Sequence, residues 1–231
     1  MRRGIHYFAN PVTALALVFG ITIVFLGGAS RADALSQVVV RLVSILTIAA
    51  LLVQRPDWSG IDRVRPLFNF ACSAGMLLLL QLIPLPPKLW SALPGRAHDV
   101  ALSNLVGITD GWRPISLTPD LGLNAAMALL PVFAVIALLA RLEKTYRWVP
   151  VAIVASAAVL SAVLGLAQLT GGPDSGLRYY AITSQLSAVG VFANRNHNAT
   201  LLALSIPIIA FFGTRRVHRS VTGKGTTLLA L

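Results

Sequence analysis

Apolar runs of nearly uniform length divide this chain: about 11–28, 35–53, 67–83, 123–140, 150–169 and 197–213, with a seventh opening at Thr226. A helix of roughly 20 apolar residues crosses a hydrocarbon core. Inside lipid, backbone polar groups are satisfied only within helices or closed barrels. The runs therefore predict an all-α fold, a polytopic transmembrane helix bundle of six spans plus an incomplete seventh. With 56% hydrophobic and 12% charged residues and a mean hydropathy of +0.76, the 231 residues carry too little polar surface to coat a soluble globule. The spans leave two long loops, 84–122 and 170–196, within one transmembrane domain covering 1–231. Asn10-Pro11 and Thr118-Pro119-Asp120 each offer a capping side chain followed by proline at the first helical position.

The net charge of +11 does not point to nucleic acid, because the bases sit in short clusters between apolar runs and form no reading motif. They orient the chain instead. Arg2, Arg3, Arg55, Arg63, Arg65, Arg141, Lys144, Arg147, Arg215, Arg216, Arg219 and Lys224 fall on one side. Arg31, Arg41, Lys88, Arg96, Arg113, Arg178 and Arg195 fall on the other, spread over much longer loops. The positive-inside rule then predicts a cytoplasmic N-terminus and outward-facing long loops. Residues 1–34 also resemble a signal peptide, with Arg2-Arg3, an apolar centre and Ala32-Asp33-Ala34, although the apolar stretch exceeds a usual signal core. The first long loop, around Pro84 to Gly95 with Trp90, reads as an interfacial stretch lying on the membrane, and Trp112 marks the same interface.

Function is sought where polarity meets the bilayer edge. Asn194-Arg195-Asn196-His197-Asn198 places five polar side chains at the mouth of an apolar run. Arg41 lies almost two turns inside the second span, and either snorkels outward or binds something. Gln81 and Gln168 end their spans on the same outer side, as ordinary interface residues or as part of a shared cavity. Together these residues suit an anion: unpaired N–H groups and the helix dipole at the sixth span's start would attract it, and Arg195 supplies a planar fork for phosphate. Arg195 and His197 are two apart and do not share a helical face, so both reach one ligand only if the motif is partly unwound. The four histidines lack ligand-like spacing, and neither a phosphate-binding glycine loop nor a nucleophile elbow is present, so no metal and no cofactor are expected. Cys72, the sole cysteine, excludes an internal disulfide within the chain.

Phe192-Ala193-Asn194-Arg195-Asn196-His197 resembles the motif opening the membrane domain of the O-antigen ligase and polymerase family. Gln81 to Pro87 with Trp90 to Arg96, and Pro114 to Asp120, resemble the N-terminal half of its polysaccharide-export members. The resemblance implies a bacterial inner-membrane glycosyltransferase serving lipopolysaccharide or exopolysaccharide assembly. Such a protein moves glycan from an undecaprenyl-diphosphate-linked donor to an acceptor sugar, on a growing glycan or on lipid A core, at the periplasmic face of the lipid membrane. Arg195 would stabilise the diphosphate leaving group, supported by His197, Asn194 and Asn196, with Arg41 and Gln81 added by position.

Two departures from the family pattern stand out. Asn198-Ala199 occupies positions where the family usually has an aromatic or apolar residue and a small one. The family also has about twice as many spans and an essential periplasmic loop in its second half, so the chain is expected to be an N-terminal fragment, inactive alone. The rival readings are a polytopic transporter or flippase-like protein for a lipid-linked or anionic solute, and a non-catalytic membrane scaffold.

Overall fold

A computed structural model describes residues 10–29, 35–54, 58–108, 110–172 and 176–228, with side chains described as far as residue 211. The signal-like residues 1–9 and 30–34, including Ala32-Asp33-Ala34, lie outside the described residues, as do the side chains of Arg2, Arg3, Arg31, Arg55, Arg215, Arg216, Arg219 and Lys224.

The chain is mostly helical. In order it forms α1 (Pro11–Leu26), α2 (Leu35–Val53), α3 (Ile61–Leu80), β1 (Pro84–Leu85), α4 (Pro87–Ser91) and α5 (Ala97–Leu105). There follow β2 (Arg113–Pro114), α6 (Pro119–Met127), α7 (Leu130–Arg141), a 3₁₀ turn at Lys144–Tyr146, α8 (Trp148–Thr170) and α9 (Arg195–Leu228). Three stretches, Leu35–Val53, Pro119–Arg141 and Lys144–Thr170, are long and apolar enough to cross a membrane, and Pro11–Leu26 is a shorter apolar helix. The residues cluster into two compact units, 1–43 with 142–231, and 44–141.

In the first unit, α1 starts as its cap chemistry dictates: Asn10 Oδ1 accepts from the backbone N–H groups of Val12 (3.0 Å) and Thr13 (3.4 Å), and Pro11 needs no partner. Asn10 Nδ2 also donates to Glu143 Oε1 at 2.6 Å, which places the only glutamate beside this helix start. Gly20 lets α1 and α8 approach closely, since a Cβ there would lie 2.6 Å from Ile153 Cδ1. On α9, residues 195–228 form one continuous helix, where sequence reading separated a span at 197–213 from a new one at Thr226. Gly213, Gly223 and Gly225 weaken the intervening stretch, but no proline interrupts it. Its 34 residues extend about 51 Å at 1.5 Å per residue.

The second unit departs from the sequence reading in three places. Helix α3 begins at Ile61, six residues before the expected start, and carries Pro66 within it. Tertiary burial outweighs the lost hydrogen bond: Val64 and Ala71 pack with Ile136 and Ala140, and Arg63 Nη2 donates to the Leu139 carbonyl at 3.2 Å. The expected 123–140 helix is instead α6 and α7. Pro131 has no N–H for the Met127 carbonyl, so the helix breaks there.

The third departure is the loop 84–122, which is folded around Trp90 rather than spread as an interfacial strip. Pro84 and Leu85 pair antiparallel with Pro114 and Arg113. Trp90 is 5% exposed and its Nε1 donates to the Pro114 carbonyl at 2.8 Å. The guanidiniums of Arg96 and Arg113 lie 4.8 and 5.0 Å from its ring centroid. Trp112, by contrast, is exposed. The expected Thr118 cap is also replaced: Ser116 Oγ accepts from the Thr118 N–H at 3.2 Å, and Thr118 makes no side-chain cap bond.

Candidate functional site

The Asn-Arg-Asn-His motif forms the first turn of α9, and its placement follows from a buried polar knot beneath it. Gln168, in the last turn of α8, is 0% exposed and uses its full hydrogen-bonding capacity. Its Nε2 donates to the carbonyls of Leu177 (3.1 Å) and Gly190 (2.9 Å), while Oε1 accepts from the N–H groups of Val189 (3.0 Å) and Gly190 (2.9 Å). Two turns earlier, Ser161 Oγ donates to Asn198 Oδ1 at 2.7 Å and accepts from the Val191 N–H at 3.1 Å. Asn198 is 2% exposed, and its Nδ2 donates to the Ala188 carbonyl at 2.9 Å. Gln168 is thus a structural clamp, and Asn198, set apart by sequence as a departure from the family pattern, is the member of the motif that anchors it.

Two further devices shape the approach to the motif. Arg178 Nη1 donates to the carbonyls of Ser184 (3.2 Å) and Ser187 (3.3 Å), bracketing Leu186, whose φ of 57° is unusual for a branched side chain. Gly190 has the same φ of 57°, and a Cβ there would lie 1.9 Å from Ser161 Oγ and 2.9 Å from Asn198 Oδ1. Glycine is required here on both grounds. The Ala193 N–H then reaches the Gly28 carbonyl at 2.9 Å, tying the motif to the end of α1.

Contrary to expectation, the backbone N–H groups of Arg195, Asn196 and His197 in the first turn all have acceptors. Asn194 is the N-cap: its Oδ1 accepts from the Asn196 N–H at 2.8 Å, and its carbonyl accepts from the N–H groups of His197 and Asn198. The Arg195 N–H meets Ser184 Oγ at 3.4 Å. An anion at this turn would therefore be held by side chains. Nor is the motif unwound beyond Asn194, since the helix is regular from Arg195. Arg195 and His197 consequently diverge by about 200° around the axis. The His197 ring packs edge-on to Phe192 at 6.2 Å.

Arg195, Asn196 and His197 are all exposed, and the Arg195 guanidinium makes no hydrogen bond or ion pair among the described residues. The turn therefore presents a cation and two hydrogen-bonding side chains on a rigid base. Arg41 is half-buried within α2, where its Nη2 donates to Gln37 Oε1 at 3.0 Å, one turn nearer the helix start. Gln81 belongs to the other unit, where it caps α3 with an exposed side chain and its carbonyl accepts from the Ser116 N–H at 2.9 Å.

In the loop 170–196 of the first unit, burial pushes the Tyr180 hydroxyl pKa above its ordinary value, with the backbone at Gly28 opposing the rise and the neighbouring Tyr179 adding to it. Among the described residues, no three His, Cys, Asp or Glu side chains gather closely enough to hold a metal ion. Ser161 escaped sequence reading, and the anchoring roles of Asn198 and Arg178 were not legible there, because their partners lie 6 to 37 residues away. The available signal was polarity inside the apolar stretch of α8, at Ser161, facing an asparagine at a helix start. Comparison with family models, curated proteins and solved structures returned no match.

Proposed function

We propose that this chain is a multi-pass protein of the bacterial inner membrane, with a cytoplasmic N-terminus and six spans, that acts in O-antigen ligase- or polymerase-like assembly of cell-surface polysaccharide. It holds an undecaprenyl-diphosphate-linked glycan at the periplasmic face for transfer to an acceptor sugar, on a glycan or on lipid A core. The observation that best supports this reading is the exposed Arg195 guanidinium on a first turn that Asn194, Ser161, Gln168 and Asn198 hold rigid. A planar fork of this kind chelates phosphate oxygens. As the sugar–phosphate bond breaks, charge accumulates on the diphosphate, and a cation carried on an anchored turn stabilises it. Asn196 and His197 then serve as separate hydrogen-bonding positions, and Asn194 contributes as the cap.

The test is Arg195→Ala in the source bacterium's own gene. Lipid-linked glycan should accumulate and assembled polysaccharide should fall at least tenfold, with membrane protein levels unchanged. Normal glycan combined with lost uptake of an anionic solute would assign the chain to transport. Normal glycan in both Arg195→Ala and His197→Ala would leave a scaffold role.

A further inference from the structure

Within residues 44–141, a second cleft, of about 190 Å³, lies between α4, α5 and the turn leading into β2. Its side-chain polar groups come from Lys88, Ser91, Ser103, Asn104 and Arg113, and no carboxylate lines it. The Arg113 fork is fixed before any ligand arrives: Nη1 donates to Ser103 Oγ at 2.5 Å, Nη2 donates to the Ile108 carbonyl, and the guanidinium rests over Trp90. Ser103 is itself held, since its Oγ donates to the Asp99 carbonyl at 2.7 Å. A guanidinium has five N–H donors, so this anchoring orients the fork without exhausting it. Lys88 and Asn104 are exposed on α4 and α5, and their side chains make no hydrogen bond among the described residues.

The charge balance of the lining selects an anion, and the volume sets its size. At about 30 Å³ per liquid water the space equals roughly six waters, the room that one hexose-sized ring with its hydroxyls takes. Asn104 and Ser91 offer hydrogen bonds to hydroxyl groups, while Lys88 and Arg113 suit a carboxylate or phosphate. Convergent polar groups in a preformed concavity are the usual make-up of a small-ligand site. We infer that this cleft is a subsite for a single acidic sugar unit, a pyranose carrying a carboxylate or phosphate. Its anion preference comes from the cleft alone; its assignment to sugar rests on the polysaccharide reading above.

The experiment is titration of the purified full chain in nanodiscs with sodium glucuronate, glucose 6-phosphate, glucose and inorganic phosphate, followed by ligand-observed NMR. Glucuronate or glucose 6-phosphate should bind at least tenfold more tightly than glucose and than inorganic phosphate. Lys88→Met and Asn104→Leu, both at exposed positions, should each weaken that binding about five- to tenfold, the size of one partly exposed polar contact. Absent binding, binding indifferent to both substitutions, or inorganic phosphate binding as tightly as the acidic sugars would each overturn the assignment. Lys144→Met, at an exposed lysine outside the cleft and outside residues 44–141, should leave the titration unchanged. Failure of this site is thereby distinguished from failure of the transfer reading, which the glycan assay alone reports.

Discussion

Replacing Gly190 by alanine tests whether the buried knot positions the motif. The substitution acts in two ways that can be separated. Alanine at a φ of 57° costs about 1 kcal/mol in backbone strain. The new Cβ would also stand 1.9 Å from Ser161 Oγ and 2.7 Å from the Ser161 carbonyl, and the latter is helix backbone that cannot step aside. Ser161 must then release Asn198 Oδ1, the Val191 N–H, or both, at about 1–2 kcal/mol for each buried bond lost. The total is about 2–5 kcal/mol. Gly172 provides the control, because its φ of 75° carries similar strain while a Cβ there meets nothing within 4 Å. Amide hydrogen exchange reads the difference locally. At about 1.4 kcal/mol per tenfold, exchange at Val189 and Val191 should accelerate on the order of 100-fold in Gly190→Ala and well under tenfold in Gly172→Ala. Equal protection in the two variants would refute the argument that packing at Gly190 holds the loop.

Gln168→Leu removes four hydrogen bonds at once and takes the partner from the buried N–H groups of Val189 and Gly190 and from the buried Gly190 carbonyl, for about 3 kcal/mol or more. Limited proteolysis should then cut within 176–193 at least tenfold faster than in the parent, whereas Arg195→Ala should leave the cutting rate within twofold. Tyr180 makes a pH prediction. Its folded-state pKa is raised above that of the unfolded chain, so its stabilising contribution is complete below about pH 10 and is lost as pH rises through the folded value. Phenolate absorbance should show one tyrosine titrating later than free tyrosine, and Tyr180→Phe should abolish that late component.

Local chemistry was legible wherever the cause of structure was itself local. The apolar run at 35–53 became α2 with the expected bounds, and Asn10-Pro11 became a capped helix start, because helix length and capping depend on residues a few positions apart. The same local logic failed at Pro66, where packing of Val64 and Ala71 against α7 extended α3 past a residue that ordinarily ends a helix. It failed again at Trp90, whose amphipathic ring reads equally well as a membrane anchor or as the centre of a small folded cap.

The candidate site divides along the same line. Sequence by itself determined that the chain is helical and apolar, and that Arg195, Asn196 and His197 sit at a helix start. Only the tertiary structure decided which polar residues support and which face outward. Asn198 and Gln168 turned inward because Ser161 and the 188–191 backbone supplied donors and acceptors that would otherwise be buried without partners. Arg195 turned outward because the knot left it none. The physical reason is that helix formation needs only near neighbours, whereas a buried amide finds its partners across 9 to 37 residues of chain, and only the fold brings those together.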